Sequence, residues 1–220
     1  MLISSHTKYF VKRYGEYEGV RLLREAGFDA VDFNFNLYPY NYPLYQGSEK
    51  EFIQFYQNLN AYYKKIGIKV GQAHAVEPTY RTDAVTNKAI FESIVKNIQA
   101  SSLLECPYLV IHPNIPLIYK YDYYRAETRE INLDFYGRLL PYLKKYGVIC
   151  LVENMFNWDD EKQVICPTVC SYGWEMKDYV EMIDSHWFAA CLDIGHANLT
   201  PDPAVHMIEI LGSHIKALHV

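Results

Sequence analysis

Short apolar runs alternate with amphipathic helical stretches along this chain, and that rhythm constrains its fold more than any other feature. The runs cover residues 1–5, 28–35, 68–75, 108–111, 148–152, 187–192 and 215–220. Helical spacing of apolar residues fills most of the intervals: 16–26, 48–66, 83–103, 125–146, 174–185 and a short stretch ending at Leu211. Three of these helices meet a glycine where the pattern stops, at Gly27, Gly67 and Gly147, as expected of a left-handed C-terminal cap. Strand, helix, strand in regular succession implies parallel strands joined by crossover helices. A doubly wound open sheet would satisfy the rhythm, but no Gly-x-Gly-x-x-Gly turn comes after the first strand.

Local signals sharpen the boundaries. Ser48 and Glu51 form a capping box that starts the helix carrying Phe52, Ile53, Tyr56, Leu59 and Tyr63. Residues 38–47, with two prolines and four tyrosines, read as loop, as does the Tyr- and Pro-rich segment after the fourth strand. Pro141 should kink or interrupt the 125–146 helix. Residues 155–172 read as a long loop, of a length that usually signals function.

The residues at the strand ends carry the chemistry. The run 187–192 hands over to Asp193 and then His196; likewise His74, His112, Glu153 and His219 stand at the ends of the third, fourth, fifth and seventh strands. Each has an ordinary structural reading. A lone strand-end His is usually a hydrogen-bonded framework residue, Glu153 could pair with a neighbouring strand, and Asp193 could cap its own turn. Five successive strands ending in metal-capable groups argue otherwise, because in an α/β barrel the C-terminal strand ends converge on one mouth. Carboxylate oxygens and imidazole nitrogens there suit a divalent cation, with Mn, Mg, Co and Zn all compatible.

Composition narrows the classes of partner. Lys plus Arg is 21 against 26 for Asp plus Glu, a net charge of −5, with no basic block of the kind that tracks a phosphate backbone. That disfavours nucleic acid. Five cysteines, an odd number and two of them within strands, fit a reduced intracellular protein better than a disulfide framework. No apolar run approaches the roughly 18 residues of a membrane span, and no signal peptide is recognised, so a cytoplasmic location is expected.

The segments Gln72-Ala73-His74-Ala75, Leu109-Val110-Ile111-His112-Pro113, Leu151-Val152-Glu153-Asn154, Leu192-Asp193-Ile194-Gly195-His196 and Lys216-Ala217-Leu218-His219 together resemble the xylose isomerase-like α/β-barrel superfamily. The resemblance is to its sugar phosphate isomerase/epimerase branch, which is related to the family 2 AP endonucleases. It implies an α/β fold of the TIM (β/α)8 type, here one domain over 1–220 truncated after strand seven. It also implies a divalent metal held by Glu153, Asp193 and His219, with the family's further Glu after strand eight missing from this sequence and metal binding weakened accordingly. An unfilled edge would leave homo-oligomerisation open as a way to cover it.

The activity implied is sugar or sugar-phosphate isomerisation or epimerisation by proton transfer beside a metal-polarised carbonyl, with Glu153 and His196 catalytic. His74, His112, Asn34, Trp158 and Asp159 are the residues expected to bind substrate. Two alternatives stand beside this: zinc-dependent phosphodiester cleavage at abasic DNA, and an inactive barrel that binds a ligand or partner.

Overall fold

A computed structural model describes residues 2–39, 41–81, 83–115 and 121–220. Seven parallel strands form one sheet in the order β1-β2-β3-β4-β5-β8-β9: β1 (Ser4–His6), β2 (Ala30–Asn34), β3 (Lys69–His74), β4 (Tyr108–Val110), β5 (Ile149–Glu153), β8 (Phe188–Asp193) and β9 (Ile215–His219). They are the seven runs read from the sequence; Met1, in the first of them, lies outside the described residues, as do residues 116–120 of the loop after β4. Helices α2 (Glu16–Glu25), α4 (Glu49–Ile66), α5 (Ala84–Leu103), α6 (Tyr121–Tyr146), α7 (Gly173–Ile183) and α9 (Ala204–Leu211) supply the crossovers. This is the expected α/β barrel architecture.

Sheet residues face two environments because side chains alternate along a strand. One face packs on the helices in the large core, where Val31, Phe33, Leu109, Cys150, Val152, Ala190 and Leu192 meet Phe52, Tyr56, Ile94, Ile98, Tyr136 and Leu139. The other face is a small separate cluster of Val110, Leu151, Ala189 and Cys191, with Ala217 against it. Stepping two residues along each of these strands gives His112, Glu153, Asp193 and His219. The inner face of the barrel therefore runs from apolar packing into carboxylate and imidazole side chains at the strands' C-terminal ends.

Local chemistry explains the element boundaries. Ser48 and Glu51 form both halves of the capping box, and Gly67 closes α4 at φ 72°. Gly147 stands after α6 at φ 68° in the same left-handed region. Asp83 caps α5 by accepting the Thr86 N–H.

Four expectations need correction. Helix α1 (Lys8–Tyr14) precedes α2 unannounced, because only Val11 of it is buried and no apolar stripe marks it. Residues 38–47 are not all loop, since α3 (Pro43–Gln46) forms one turn there with proline in its first turn. The segment 155–172 contains an antiparallel hairpin, β6 (Phe156–Asp159) with β7 (Val164–Pro167). Its polar tip disguised it as loop.

The fourth concerns Pro141. It lies inside α6 on the exposed side, and the non-helical dihedrals fall at Tyr124 (φ −104°, ψ 19°) instead. On the exposed side the carbonyl that loses its N–H partner can turn to water, so the helix continues through Pro141. A short α8 (Ile194–Ala197) comes directly after β8. Among the described residues, no helix is long and apolar enough to cross a membrane.

Candidate metal centre

Glu153 is the hub of the strand ends. It is 1% exposed, and four imidazoles surround it: His219 Nδ1 at 2.9 Å from Oε1, His112 Nε2 at 2.9 Å from Oε2, His74 Nε2 at 3.7 Å and His196 Nδ1 at 3.6 Å. Burial alone would raise its carboxyl, but hydrogen bonds from His112, His219 and His74 hold it well below the ordinary carboxylate range. Its partners are all histidines. Among the described residues no Lys or Arg pairs with Glu153, Asp32 or Asp193, so the positive charge beside these carboxylates comes from rings that can exchange a proton for a metal ion.

Asp193 is placed by its neighbours. As N-cap of α8 its Oδ1 accepts the His196 N–H at 2.7 Å. A Cβ on Gly195 would lie 3.0 Å from that same oxygen, so glycine at this position keeps the cap free of crowding. The other oxygen, Oδ2, lies 3.5 Å from His219 Nδ1 and 3.8 Å from His196 Nε2. Asn154 fixes the backbone: its Oδ1 accepts the Asp193 N–H at 2.7 Å, and its Nδ2 donates to the Asp193 carbonyl at 2.8 Å. His196 Nδ1 is 2.8 Å from the Asn154 carbonyl, so that nitrogen carries the proton and Nε2 is left as the basic atom. Phe156 of the hairpin stands edge-on to the same ring, with centroids 4.9 Å apart.

Burial lowers the affinity of the other rings for protons, and carboxylates reverse it. His219 is raised by Asp193, Cys191 and Glu153. His74 is lifted to about 8 by Asp32 and Glu153. His112 is lifted to about 10, held between Glu153 and Glu77 Oε2, the latter 3.1 Å from Nδ1.

Of the residues singled out in the sequence, His74, His112, Glu153, Asp193, His196 and His219 meet in this one cluster. Asn34 adjoins it, its Oδ1 accepting the Asn36 N–H and its Nδ2 contacting His6 Nε2. Trp158 and Asp159 lie on the hairpin. Trp158 is 44% exposed, and Asp159 Oδ1 accepts the N–H groups of Glu161 and Lys162 at 3.0 Å each, so it closes the β6–β7 turn.

Four further residues were not anticipated: His6, Asp32, Gln72 and Glu77. Asp32 takes His74 Nδ1 at 2.9 Å and the Gln72 amide at 2.8 Å. Asn36 grips Glu77 at both its backbone N–H and its carboxylate. Among the described residues, three trios bring one ligand atom each within 4.8 Å of one another: His74, Glu153 and His219; Glu153, Asp193 and His196; and His6, Asp32 and His74. Carboxylates and imidazoles at such spacing fit a divalent cation.

Residues 20–220 match the family model described as the xylose isomerase-like TIM barrel. The chain belongs to that family. Among solved structures it is similar to 3-keto-D-glucoside 4-epimerase from E. coli, with a TM-score of 0.77 at 14% identity, covering 100% of this chain and 78% of that one. It is also similar to a D-tagatose 3-epimerase-like protein, with a TM-score of 0.75 at 19% identity over 100% and 76% of the two chains. A third is the IolI protein with a bound zinc atom, at a TM-score of 0.67 and 16% identity over 98% and 70%. At these identities the likeness is one of fold. No curated protein matches the sequence significantly.

Proposed function

We propose that this member of the family is a divalent-metal-dependent sugar or sugar-phosphate isomerase or epimerase, with Glu153, Asp193 and His219 holding the metal. The observation that carries the reading is His219 Nδ1, which stands between two carboxylates, 2.9 Å from Glu153 Oε1 and 3.5 Å from Asp193 Oδ2. Once the His219 proton gives way to the ion, one ring and two anions around a common point make a donor set that Mn, Mg, Co or Zn can use. The epimerases among the fold relatives support the substrate class.

A divalent cation in this place supplies a Lewis acid for a substrate carbonyl and its neighbouring hydroxyl, which acidifies the adjacent C–H. The chain's own residues do the rest. Glu153 is the carboxylate that takes or returns the proton at carbon, and its position on β5 leaves it little freedom to wander from the reacting atom. His196 Nε2 is the second proton-handling group, oriented by the Asn154 carbonyl on the far side of its ring. His112, with Nδ1 paired to Glu77 and Nε2 to Glu153, positions the Glu153 carboxylate at the mouth. His74 and Asn34 line the same mouth as hydroxyl partners, and Phe156 offers an apolar face for the sugar.

The test begins with metal analysis of the purified protein beside Glu153→Ala and Asp193→Ala. Both variants should lose metal that the wild type retains, and unchanged content would sink the assigned ligands. Interconversion of ketoses or inosose-like polyols by the wild type then supports the activity. Incision of an abasic duplex without such interconversion would replace it with a phosphodiesterase reading, which the number of imidazoles around Glu153 also favours.

A further inference from the structure

We infer that the wall formed by β1, β2 and β3 carries a second divalent-cation site, made of His6, Asp32 and His74, which takes a borderline first-row ion of the Zn2+ or Co2+ class. This site does not depend on the sugar chemistry above and draws on two residues, His6 and Asp32, outside the Glu153–Asp193–His219 set. Strand register places it: His6 is the direct partner of Asp32 across the β1–β2 pair, and His74 is the partner of Asn34, one inward-facing position further along β2. All three side chains therefore project from the same face, with the carboxylate between the two rings.

The donor geometry is that of a collapsed metal site. Asp32 Oδ1 and His74 Nδ1 are 2.9 Å apart, close to the ~3.4 Å that separates two ligands of a tetrahedral ion with bonds near 2.1 Å. The proton shared between those atoms stands where a cation would stand. His6 completes a trio whose ligand atoms lie within 4.8 Å of one another, so a small movement of one ring closes the set. Asn34 reports the state of that ring. Its Oδ1 is committed to the Asn36 N–H, so its Nδ2 is the group that faces His6 Nε2, and Nε2 therefore offers a lone pair. His6 is held as neutral imidazole, the form that binds metal.

Gln72 donates to Asp32 Oδ2 at 2.8 Å, orienting the carboxylate so that Oδ1 remains for the ion. A carboxylate only 5% exposed, whose ion-pair partners among the described residues are His74 and His219, lacks any permanent cation. Two imidazoles and one carboxylate select Zn2+ or Co2+ over Mg2+ or Ca2+, which prefer oxygen donors. His74 links the two sites, because its Nε2 points at Glu153 from 3.7 Å.

The test is stoichiometry. The full chain is stripped with chelator and dialysed against Zn2+ or Co2+, and bound metal is counted by elemental analysis. His6→Ala and Asp32→Asn should each bind one equivalent fewer than wild type, and Glu153→Ala should retain the equivalent that those two remove. Unchanged stoichiometry in folded His6→Ala overturns the site, as does complete loss of metal on Glu153→Ala alone. Loss in Glu153→Ala but not in His6→Ala would leave the proposed function standing and remove only this inference. His6→Cys guards against a purely structural explanation: it should restore the missing equivalent and give a thiolate-to-Co2+ charge-transfer band, whereas a folded His6→Cys without that band overturns the assignment.

Discussion

The two walls of the barrel interior are built to different rules. On β4, β5, β8 and β9 the inward residues are apolar until the last position: Val110 before His112, Leu151 before Glu153, Cys191 before Asp193, Ala217 before His219. On β2 and β3 polarity reaches one layer deeper, with Asp32 below Asn34 and Gln72 below His74, all but His74 nearly buried. Burying polar groups costs free energy even when each is hydrogen-bonded, and the other wall shows that the fold can do without them. On the proposed reading the deeper polar layer serves the metal chemistry, and the apolar layer opposite serves stability.

Substitutions can break or sharpen that contrast. The largest effect is expected at Glu153, where both walls meet. Its replacement by Ala should lower kcat/KM for a competent sugar by about 10³-fold or more, on the scale of losing a proton-transfer group and a metal ligand together. A steady-state assay on folded protein checks it, and a loss of less than tenfold would deny Glu153 a central role.

Leu151→Ala, one layer below, should cost stability instead. A loss of about 2–5 kcal/mol is expected for a buried Leu, read by urea denaturation, with metal content unchanged. If metal content fell as far as in Glu153→Ala, the division between the layers would not hold.

Rebuilding the polar wall in the image of the other is a more demanding test. The double variant Asp32→Leu/His74→Leu should unfold within about 1–2 kcal/mol of the wild type, on either side, because well-packed apolar residues commonly replace buried ion pairs without penalty. It should also bind less metal. A loss of stability comparable to that of Leu151→Ala would show that the deep polar layer supports the fold after all.

A last test is a pH dependence where the walls touch. His74 and His112 have folded-state values of about 8 and about 10, above the ordinary 6.5. Their contribution is fully present below pH 6.5 and is lost as pH rises through about 8 and then about 10. Metal-free protein should therefore show a Tm that declines on the alkaline side. An ion bound by His6, Asp32 and His74 replaces the His74 proton, so the metal-loaded protein should lose the step near pH 8 and keep the one near pH 10. Parallel profiles with and without metal would contradict this.

The apolar wall was legible in the sequence, as was the outer layer of the polar wall in Asn34 and His74, but the deeper polar layer was not, for one physical reason. A run such as Val-Ile-Cys-Leu-Val ending in Glu153 has no solvent-facing alternation, so the sudden carboxylate stands out. Asp32 sits in Val-Asp-Phe-Asn, where alternation reads as one buried and one wet face; only the curl of the sheet turns that second face inward. His6 ends a strand of three residues, too short to show any period. Glu77 depends on Asn36, 41 residues away, and no local pattern could announce it. The hairpin was hidden differently, since Asp160, Glu161 and Lys162 at its tip outweigh the alternation of its arms.

Asn154 has a consequence for selectivity. Its amide bonds the N–H and carbonyl of Asp193 much as a neighbouring strand's peptide group would, so a side chain supplies one more rung between β5 and β8. That rung works as a spacer gauge. With Glu153 at the end of one strand and Asp193 at the end of the other, the two hydrogen bonds hold the backbones that carry both carboxylates at a fixed spacing. On the proposed reading such a jaw discriminates by ionic radius: it closes on small ions and resists the longer oxygen bonds of Ca2+. Asn154→Ala would loosen the jaw while leaving every ligand atom in place.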